Sequence, residues 1–328
     1  MKVLCFVHLY PPDHNAGAEW MLHAINKFLI GKGHKIKVIT RNGDMVTMKN
    51  GRRVHVPLSG DKKFEGVDIL RQGEVPYSEI FKWADVVVTH LDMTGKALNL
   101  CNAFNKPLVH LIHNTSYNDV IVKIRPDLSS VVYNCFNTKK VLSYPFDNVV
   151  LYPPVTASEY EVETNRKNIT LINCWKEKGG NVLVELAKEM PDRKFLGVMG
   201  GYGDQVIGNC KNLNYEENTP YIRNVYKKTG VLLMPSSYES WGRTGIEAMA
   251  SGIPVIAHPT PGLKESLGYA GLFAHRDNIG DWVKILRDLE DETYYNKISE
   301  KCKKRAHEVS KETDKQLIEF EKFLISRK

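Results

Sequence analysis

Short apolar runs separated by polar, proline- and glycine-rich loops recur along this chain. Val3-Leu4-Cys5-Phe6-Val7 reads as a buried first strand. A Pro/Asn/Gly loop follows, then apolar positions at helical spacing: Trp20, Met21, Ala24, Ile25, Phe28 and Leu29. Gly31-Lys32-Gly33-His34 closes that helix and residues 36–40 form the next strand. Strand, helix and strand within about forty residues make a βαβ unit, which requires a parallel sheet. Further apolar runs at 85–89, 108–112 and 130–133 continue the alternation. It breaks at 148–155, where an extended stretch runs into Pro153-Pro154, and then restarts. Strands are predicted at 169–173, 194–199, 231–234 and 254–257, with helices at 182–189 and 246–251 and a charged, helix-periodic tail over 281–328. Two alternations divided by a proline hinge predict two doubly wound α/β domains, 1–152 and 153–308. Residues 309–328 are expected as a C-terminal helix packing back on the first.

Composition agrees. A length of 328 residues suits two domains, and 42% hydrophobic with 25% charged residues is ordinary for globular chains, which excludes disordered and fibrous classes. The six cysteines form no C-x-x-C pair and have no histidine cluster at zinc-ligand spacing beside them, so free thiols in a reducing cytoplasm and no metal site are expected. The apolar run before Pro11-Pro12 is too short for the core of a signal peptide, and no stretch approaches the ~20 apolar residues of a membrane span. The expected location is cytoplasmic, with any membrane contact peripheral, at the inner face. The net charge of +7 resides in residues 1–63, where eleven Lys and Arg face only Asp13, Glu19, Asp44 and Asp61. Such a domain either attracts an anionic partner or presents an ordinary solvated, lysine-rich surface.

The chemistry concentrates in Met234-Pro-Ser-Ser-Tyr-Glu239-Ser-Trp-Gly-Arg-Thr-Gly-Ile-Glu247. A buried strand ends near Pro235, and a helix is predicted to open near Thr244 with Glu247 in its first turn. In open α/β sheets ligands sit beyond the carboxyl ends of strands, and free N–H groups at a helix start suit a diphosphate. Glu239 and Glu247 could each accept hydrogen bonds from vicinal hydroxyls. Read singly, Glu239 is a solvated loop charge and Glu247 a carboxylate favoured at a helix N-terminus; read with the flanking Pro-Ser-Ser and Gly-Ile-Pro-Val-Ile-Ala, they form a site.

This stretch resembles the E-x7-E signature of retaining GT-B glycosyltransferases of family 4, and the resemblance extends over nearly the whole chain. The run from Pro11-Pro12 to Ala16-Gly17-Ala18-Glu19 is similar to the family's first glycine loop, His110-Leu-Ile-His113-Asn to its histidine strand, and Tyr152-Pro153-Pro154-Val155 to its interdomain hinge. Lys178-Gly179 is similar to its phosphate-binding Lys-Gly, and Thr260-Pro-Gly262-Leu-Lys-Glu265 to its Gly-x-x-Glu. The resemblance implies a GT-B architecture, two facing Rossmann-like domains with a central cleft. It implies transfer of a sugar from a nucleotide-diphosphate sugar to an acceptor hydroxyl, with retention, no metal and no cofactor beyond the co-substrate. Glu247 would then hold the donor ribose, Glu239 the sugar hydroxyls, and the backbone of Trp241, Gly242, Arg243 and Thr244 the pyrophosphate and sugar. Lys178 would neutralise the leaving diphosphate, His113 would touch the transferred sugar, and Gly17 with Ala18 would let the chain approach the donor phosphate. A buried core histidine and an ordinary turn glycine are the other readings of His113 and Gly17. Where the family carries an arginine ahead of this lysine, the chain has Asn173 and Cys174, and Lys176 or Arg243 is the candidate second cation.

Family acceptors imply a cell-envelope glycan or lipid-linked sugar; a modified DNA base is the alternative that suits a basic domain. A dehydrogenase is disfavoured because no G-x-G-x-x-G follows the first strand, and a non-catalytic nucleotide-sugar-binding module stays open. The sequence does not specify an oligomeric state.

Overall fold

The computed structural model describes residues 1–49, 52–115, 129–201 and 203–328, the side chains of 47–49, 52 and 53 excepted. Of the basic first segment, Lys49, Arg52 and Arg53 therefore lie outside the described side chains. The chain divides into two compact units: Met1–Met45, Pro57–Pro154 and Glu312–Lys328 form one, Val46–Val56 and Val155–Lys311 the other.

The strands up to residue 150 are β1 (Lys2–Phe6), β2 (Lys35–Thr40), β3 (Asp44–Lys49), β4 (Arg52–Pro57), β5 (Lys63–Phe64), β6 (Val67–Arg71), β7 (Val86–His90), β8 (Leu108–Ile112), β9 (Ser129–Tyr133) and β10 (Asp147–Val150). β3 and β4 form a small sheet of their own, and the other eight form one sheet in the order β10-β9-β8-β7-β1-β2-β6-β5. β1 lies between β2 and β7 in parallel register, with Val3 opposite both Ile36 and Val86. Only the short β5 runs antiparallel to its neighbour.

Helices α1 (Gly17–Gly31), α2 (Tyr77–Trp83), α3 (Thr94–Phe104) and α4 (Phe136–Leu142) cover the faces of this sheet. Successive strand side chains point to opposite faces, and β1 feeds two cores for that reason. Val3, Cys5 and Val7 pack with Met21, Leu22, Ile25 and Leu29 of α1. Leu4 and Phe6 pack with Ile80, Phe81, Ala97 and Leu98 on the other side. Burial on both faces is why these strands read as unbroken apolar runs. Near the C-terminus, Leu317, Phe320 and Leu324 join the α1 core, and the Gln316 side chain accepts a hydrogen bond from Tyr152 N at 2.8 Å.

The second unit repeats the plan with six strands: β11 (Asn168–Ile172), β12 (Phe195–Val198), β13 (Leu213–Glu216), β14 (Thr229–Met234), β15 (Val255–Ala257) and β16 (Leu272–Phe273). They run parallel in the order β13-β12-β11-β14-β15-β16. Its helices are α5 (Ala157–Tyr160), α6 (Gly180–Glu189), α7 (Ile222–Tyr226), α8 (Arg243–Ala250), α9 (Pro261–Leu267) and α10 (Ile279–Asp288), followed by the long α11 (Glu292–Ile325). Each unit is thus a mixed α/β fold on a parallel sheet, of the doubly wound kind.

Strand order reverses once in each main sheet, between β1 and β7 and between β11 and β14. The carboxyl ends of such strand pairs splay their loops apart, and ligands of open α/β sheets bind there. Among the described residues no helix is long and apolar enough to cross a membrane.

Candidate active site

β11 ends at Ile172 and the turn after it carries Lys178; β14, beside it across the reversal, ends at Met234 and leads into the loop that carries Glu239. Lys178 Nζ donates to the Glu239 carboxylate, and Ser236 Oγ donates to the same oxygen at 3.2 Å. Ser237 ties the loops a second time, its N–H donating to Glu177 O at 2.9 Å and its hydroxyl to the Glu177 carboxylate at 2.5 Å. Side-chain exposures of 20% and 15% leave Lys178 and Glu239 accessible to a ligand while excluding bulk water from most of their surface.

Glu239 and Ser240 continue into α8. Gly242, the residue before that helix, has φ +82°, and a Cβ there would lie 2.4 Å from Leu263 Cδ2, so backbone conformation and packing both require glycine. Gly262 is required in another way: its Cβ would meet the carbonyl oxygens of Glu239 and Ser240 at 2.3 and 2.2 Å. The start of α9 therefore presses directly under the loop and fixes its path. No described side chain caps the start of α8; Gly245 N–H donates to Gly242 O at 3.0 Å, which leaves the N–H groups of Arg243 and Thr244, a few residues after Glu239, as those that can hold an anion.

The structure places Arg243 and Glu247 differently from expectation. The helix opens at Arg243, and Glu247 stands one turn inside it, 6% exposed, where a carboxylate gains nothing from the helix start. Glu247 Oε1 lies 2.8 Å from Arg243 Nε in a charge contact, and Oε2 accepts a hydrogen bond from Tyr226 OH at 2.9 Å. Arg243 in turn donates to Tyr160 OH at 2.7 Å. Burial opposes the guanidinium charge, but Glu247 and the two tyrosines outweigh it and raise its pKa further. Burial raises the Tyr226 pKa, and the adjacent Glu247 charge adds to it, so the phenol remains a donor. Arg243 is thus committed to an internal network rather than offered as a second cation. Trp241 is 1% exposed, and Thr244, half-buried, accepts from Tyr226 OH through its carbonyl at 3.3 Å.

Gly17, Ala18 and His113 belong to the first unit, the other candidates to the second. Gly17 and Ala18 open α1. A Cβ on Gly17 would meet no described atom within 4 Å, and its backbone is not in the left-handed region, so neither the fold nor the turn demands glycine there. His113 follows β8, and its Nε2 shares a proton with His90 Nδ1 at 2.9 Å, His90 being the last residue of β7. His110 pairs with Thr94 Oγ1 at 3.1 Å.

Burial lowers the pKa of all three rings, that of His110 to about 3, with neighbouring imidazoles adding to it for His110 and His113. A histidine depressed on folding binds a proton more readily when unfolded. Stability from these groups is therefore complete above about pH 6.5 and is lost progressively as pH falls below that value. The imidazole C2–H resonance of His110 is expected to keep its neutral-form shift down to about pH 5, and those of His90 and His113 to titrate below the ordinary value, while the melting temperature declines. A resonance from any of them titrating near 6.5 contradicts this.

Sequence reasoning missed Ser236, three residues before its partner Glu239; Tyr226 and Tyr160, whose partners lie 21 and 83 positions away; and His90, which lies one residue beyond its predicted strand.

Residues 169–309 match the protein-family model for glycosyl transferases group 1. The match covers less than half of the chain and makes that stretch similar to a group 1 glycosyltransferase domain. Together with the relative below, it supports the enzyme class, a glycosyltransferase. An uncharacterized glycosyltransferase of Methanocaldococcus jannaschii is 22% identical over 86% of this chain and 85% of its own length. Among solved structures, a sucrose-phosphate synthase from Thermosynechococcus elongatus superposes with TM-score 0.78 at 15% identity, covering 100% of both chains. Alr3699/HepE of Anabaena, solved in complex with UDP-glucose, gives 0.73 at 15% identity over 97% of this chain and 100% of that one. At such identities the likeness is one of fold.

Proposed function

We propose that the chain transfers a sugar from a nucleoside-diphosphate sugar to an acceptor hydroxyl, with retention of configuration and without a divalent metal. The observation that carries this reading is the Lys178–Glu239 pair beside the uncapped start of α8, on the two loops that flank the strand reversal of the second sheet. An ammonium and a set of free N–H groups suit a diphosphate; a carboxylate at their edge suits the hydroxyls of the attached sugar.

The protein's part in such chemistry is to position the donor and to stabilise charge on the departing diphosphate. Lys178 and the α8 amides carry that charge, and Glu239 orients the sugar. Glu247 serves the ribose through the lone pairs that Arg243 and Tyr226 leave unused. His113, held by His90, contacts the transferred sugar as a neutral donor or acceptor. UDP-glucose in the HepE complex supports a uridine donor as the first to try. The acceptor is assigned to cell-envelope glycans or lipid-linked sugars, reached from the inner face of the membrane, with a modified DNA base as the second class.

The test is release of nucleoside diphosphate over a panel of sugar nucleotides, with and without excess EDTA, and NMR assignment of the product anomer. Turnover is expected to persist in EDTA; complete loss restored by Mg²⁺ or Mn²⁺ overturns the metal-free mechanism. In the same assay His113→Ala is expected to lower kcat by about 10²-fold while changing the donor KM little, as befits a contact that matters most in the transition state. A normal kcat returns His113 to a core role. Binding of nucleotide sugars with no release across the panel would instead favour a non-catalytic binding module.

A further inference from the structure

The strand reversal of the first sheet carries its own set of ionisable groups. β1 is followed by a loop with His8, Asp13 and His14 and then by α1, with Glu19 in its first turn; β7, beside β1 across the reversal, ends at His90. Asp13 is fully used, accepting from Ser59 N at 2.6 Å and from Arg71 at 2.8 Å. Glu19 is not. It is 6% exposed, its Oε1 lies 3.3 Å from His14 Nδ1 in a charge contact, and its field reaches the rings of His90 and His8. Its Oε2 is buried and has no hydrogen-bond partner among the described residues.

Burial alone would push this carboxyl toward protonation, yet His14, His90 and the first-turn N–H of Glu19 itself hold its pKa below the ordinary value. The fold thus keeps an oxygen of an ionised carboxylate out of water with no hydrogen-bond partner among the described residues, an arrangement that costs stability. Such a group persists where a ligand completes it. The surroundings narrow the ligand's chemistry. Anions are repelled by the carboxylate, while Arg41, 3.5 Å from His8, and the surrounding imidazoles disfavour a cation. What remains is a neutral O–H donor.

We propose that Glu19 is a substrate-binding residue whose Oε2 accepts a hydrogen bond from a sugar hydroxyl at the carboxyl ends of β1 and β7, with His14 holding the carboxylate in place. That the hydroxyl belongs to a sugar rests on the transferase reading. It comes either from the donor's glycosyl group or from the acceptor.

Full-length wild type, Glu19→Gln and Glu19→Ala are compared in three measurements: calorimetric titration with UDP and with UDP-glucose, saturation-transfer NMR of free glucose, mannose and N-acetylglucosamine in saturating UDP, and thermal unfolding. UDP affinity is expected to be the same in all three proteins. If the hydroxyl is the donor's, both variants bind UDP-glucose about tenfold more weakly than wild type; if it is the acceptor's, UDP-glucose binding holds and the free-hexose signals vanish. Both variants unfold at or above the wild-type temperature, because the unpaired charge is gone.

Unchanged sugar binding in both variants, or unfolding ~5 °C or more below wild type, makes Glu19 a structural residue and overturns the proposal. Wild type that binds UDP but no sugar in either arm overturns it as well, while the donor site of the second unit stands. Where wild type binds neither UDP nor UDP-glucose, the titrations are repeated with the other sugar nucleotides of the panel, and no binding across the panel sinks the transferase reading. Free-hexose binding then decides Glu19 alone: lost in the variants it upholds the role, and absent in wild type it refutes it.

Discussion

Glu247→Ala is expected to lower the stability of the second unit by about 3–5 kcal/mol, the cost of leaving a buried charge without its partner. The Arg243 guanidinium would lose the carboxylate 2.8 Å from its Nε, and Tyr226 OH would lose its 2.9 Å acceptor, in a helix whose neighbouring residues are buried. For a unit of this size the fall in melting temperature is about 10 °C. Glu247→Gln, which keeps an oxygen for Tyr226 but not the charge, should fall between wild type and alanine. The double variant Arg243→Met with Glu247→Leu removes both charges and should recover much of the loss, because a buried ion pair exchanged for apolar packing is often neutral. Calorimetric melting of the four proteins tests this. A loss below ~1 kcal/mol for Glu247→Ala would mean that Arg243 swings out to solvent, so that the network is not what holds α8.

That network also marks where the sequence stops being informative. Strands such as β1, β7, β8, β11 and β14, buried on both faces, announce themselves as apolar runs, and the proline hinge lies next to the observed division at Pro154. Short elements that are half-exposed escape: β16 is two residues long, α7 five, and β6 alternates buried and exposed positions over Val67–Arg71. Partly covered elements carry too few apolar positions to set a period. Gly242 and Arg243 read as loop residues and place the expected start of α8 near Thr244, whereas the helix opens at Arg243 and the packing of Gly242 against Leu263 fixes its first turn.

The site divides along the same line. Lys178, Glu239 and Gly242 lie in local patterns that can be read directly, and the two loops they occupy do come together. The partners of Glu247 are Tyr226, 21 residues away, and, through Arg243, Tyr160, 83 residues away; no spacing rule links them. Glu19 is the opposite case. It stands in a legible glycine loop, but only coordinates reveal that one of its oxygens is buried without a partner.

Lys178→Ala and Glu239→Gln should separate the two halves of the proposed donor site. Lys178 now bonds to Glu239, so a diphosphate entering the site must draw the ammonium away from that carboxylate. At 20% and 15% exposure the pair is worth ~1 kcal/mol or less to folding, and both variants should melt close to wild type. Their kinetics should differ sharply. Lys178→Ala removes the charge opposite the leaving group, where stabilisation counts most, and is expected to lower kcat/KM by about 10²–10³-fold with weaker binding of free UDP. Glu239→Gln frees Lys178 from its internal partner and removes a negative charge beside the phosphates. Free UDP should then bind as tightly as in wild type or a few-fold tighter, while turnover of the nucleotide sugar falls because the hydroxyls of the sugar lose their acceptor. Calorimetry with UDP and a diphosphate-release assay on the same preparations measure both. Wild-type affinity and turnover in Lys178→Ala would remove this lysine from the site, and equal losses of UDP binding in the two variants would show that the pair acts as one structural unit rather than as a clamp for phosphate beside an anchor for sugar.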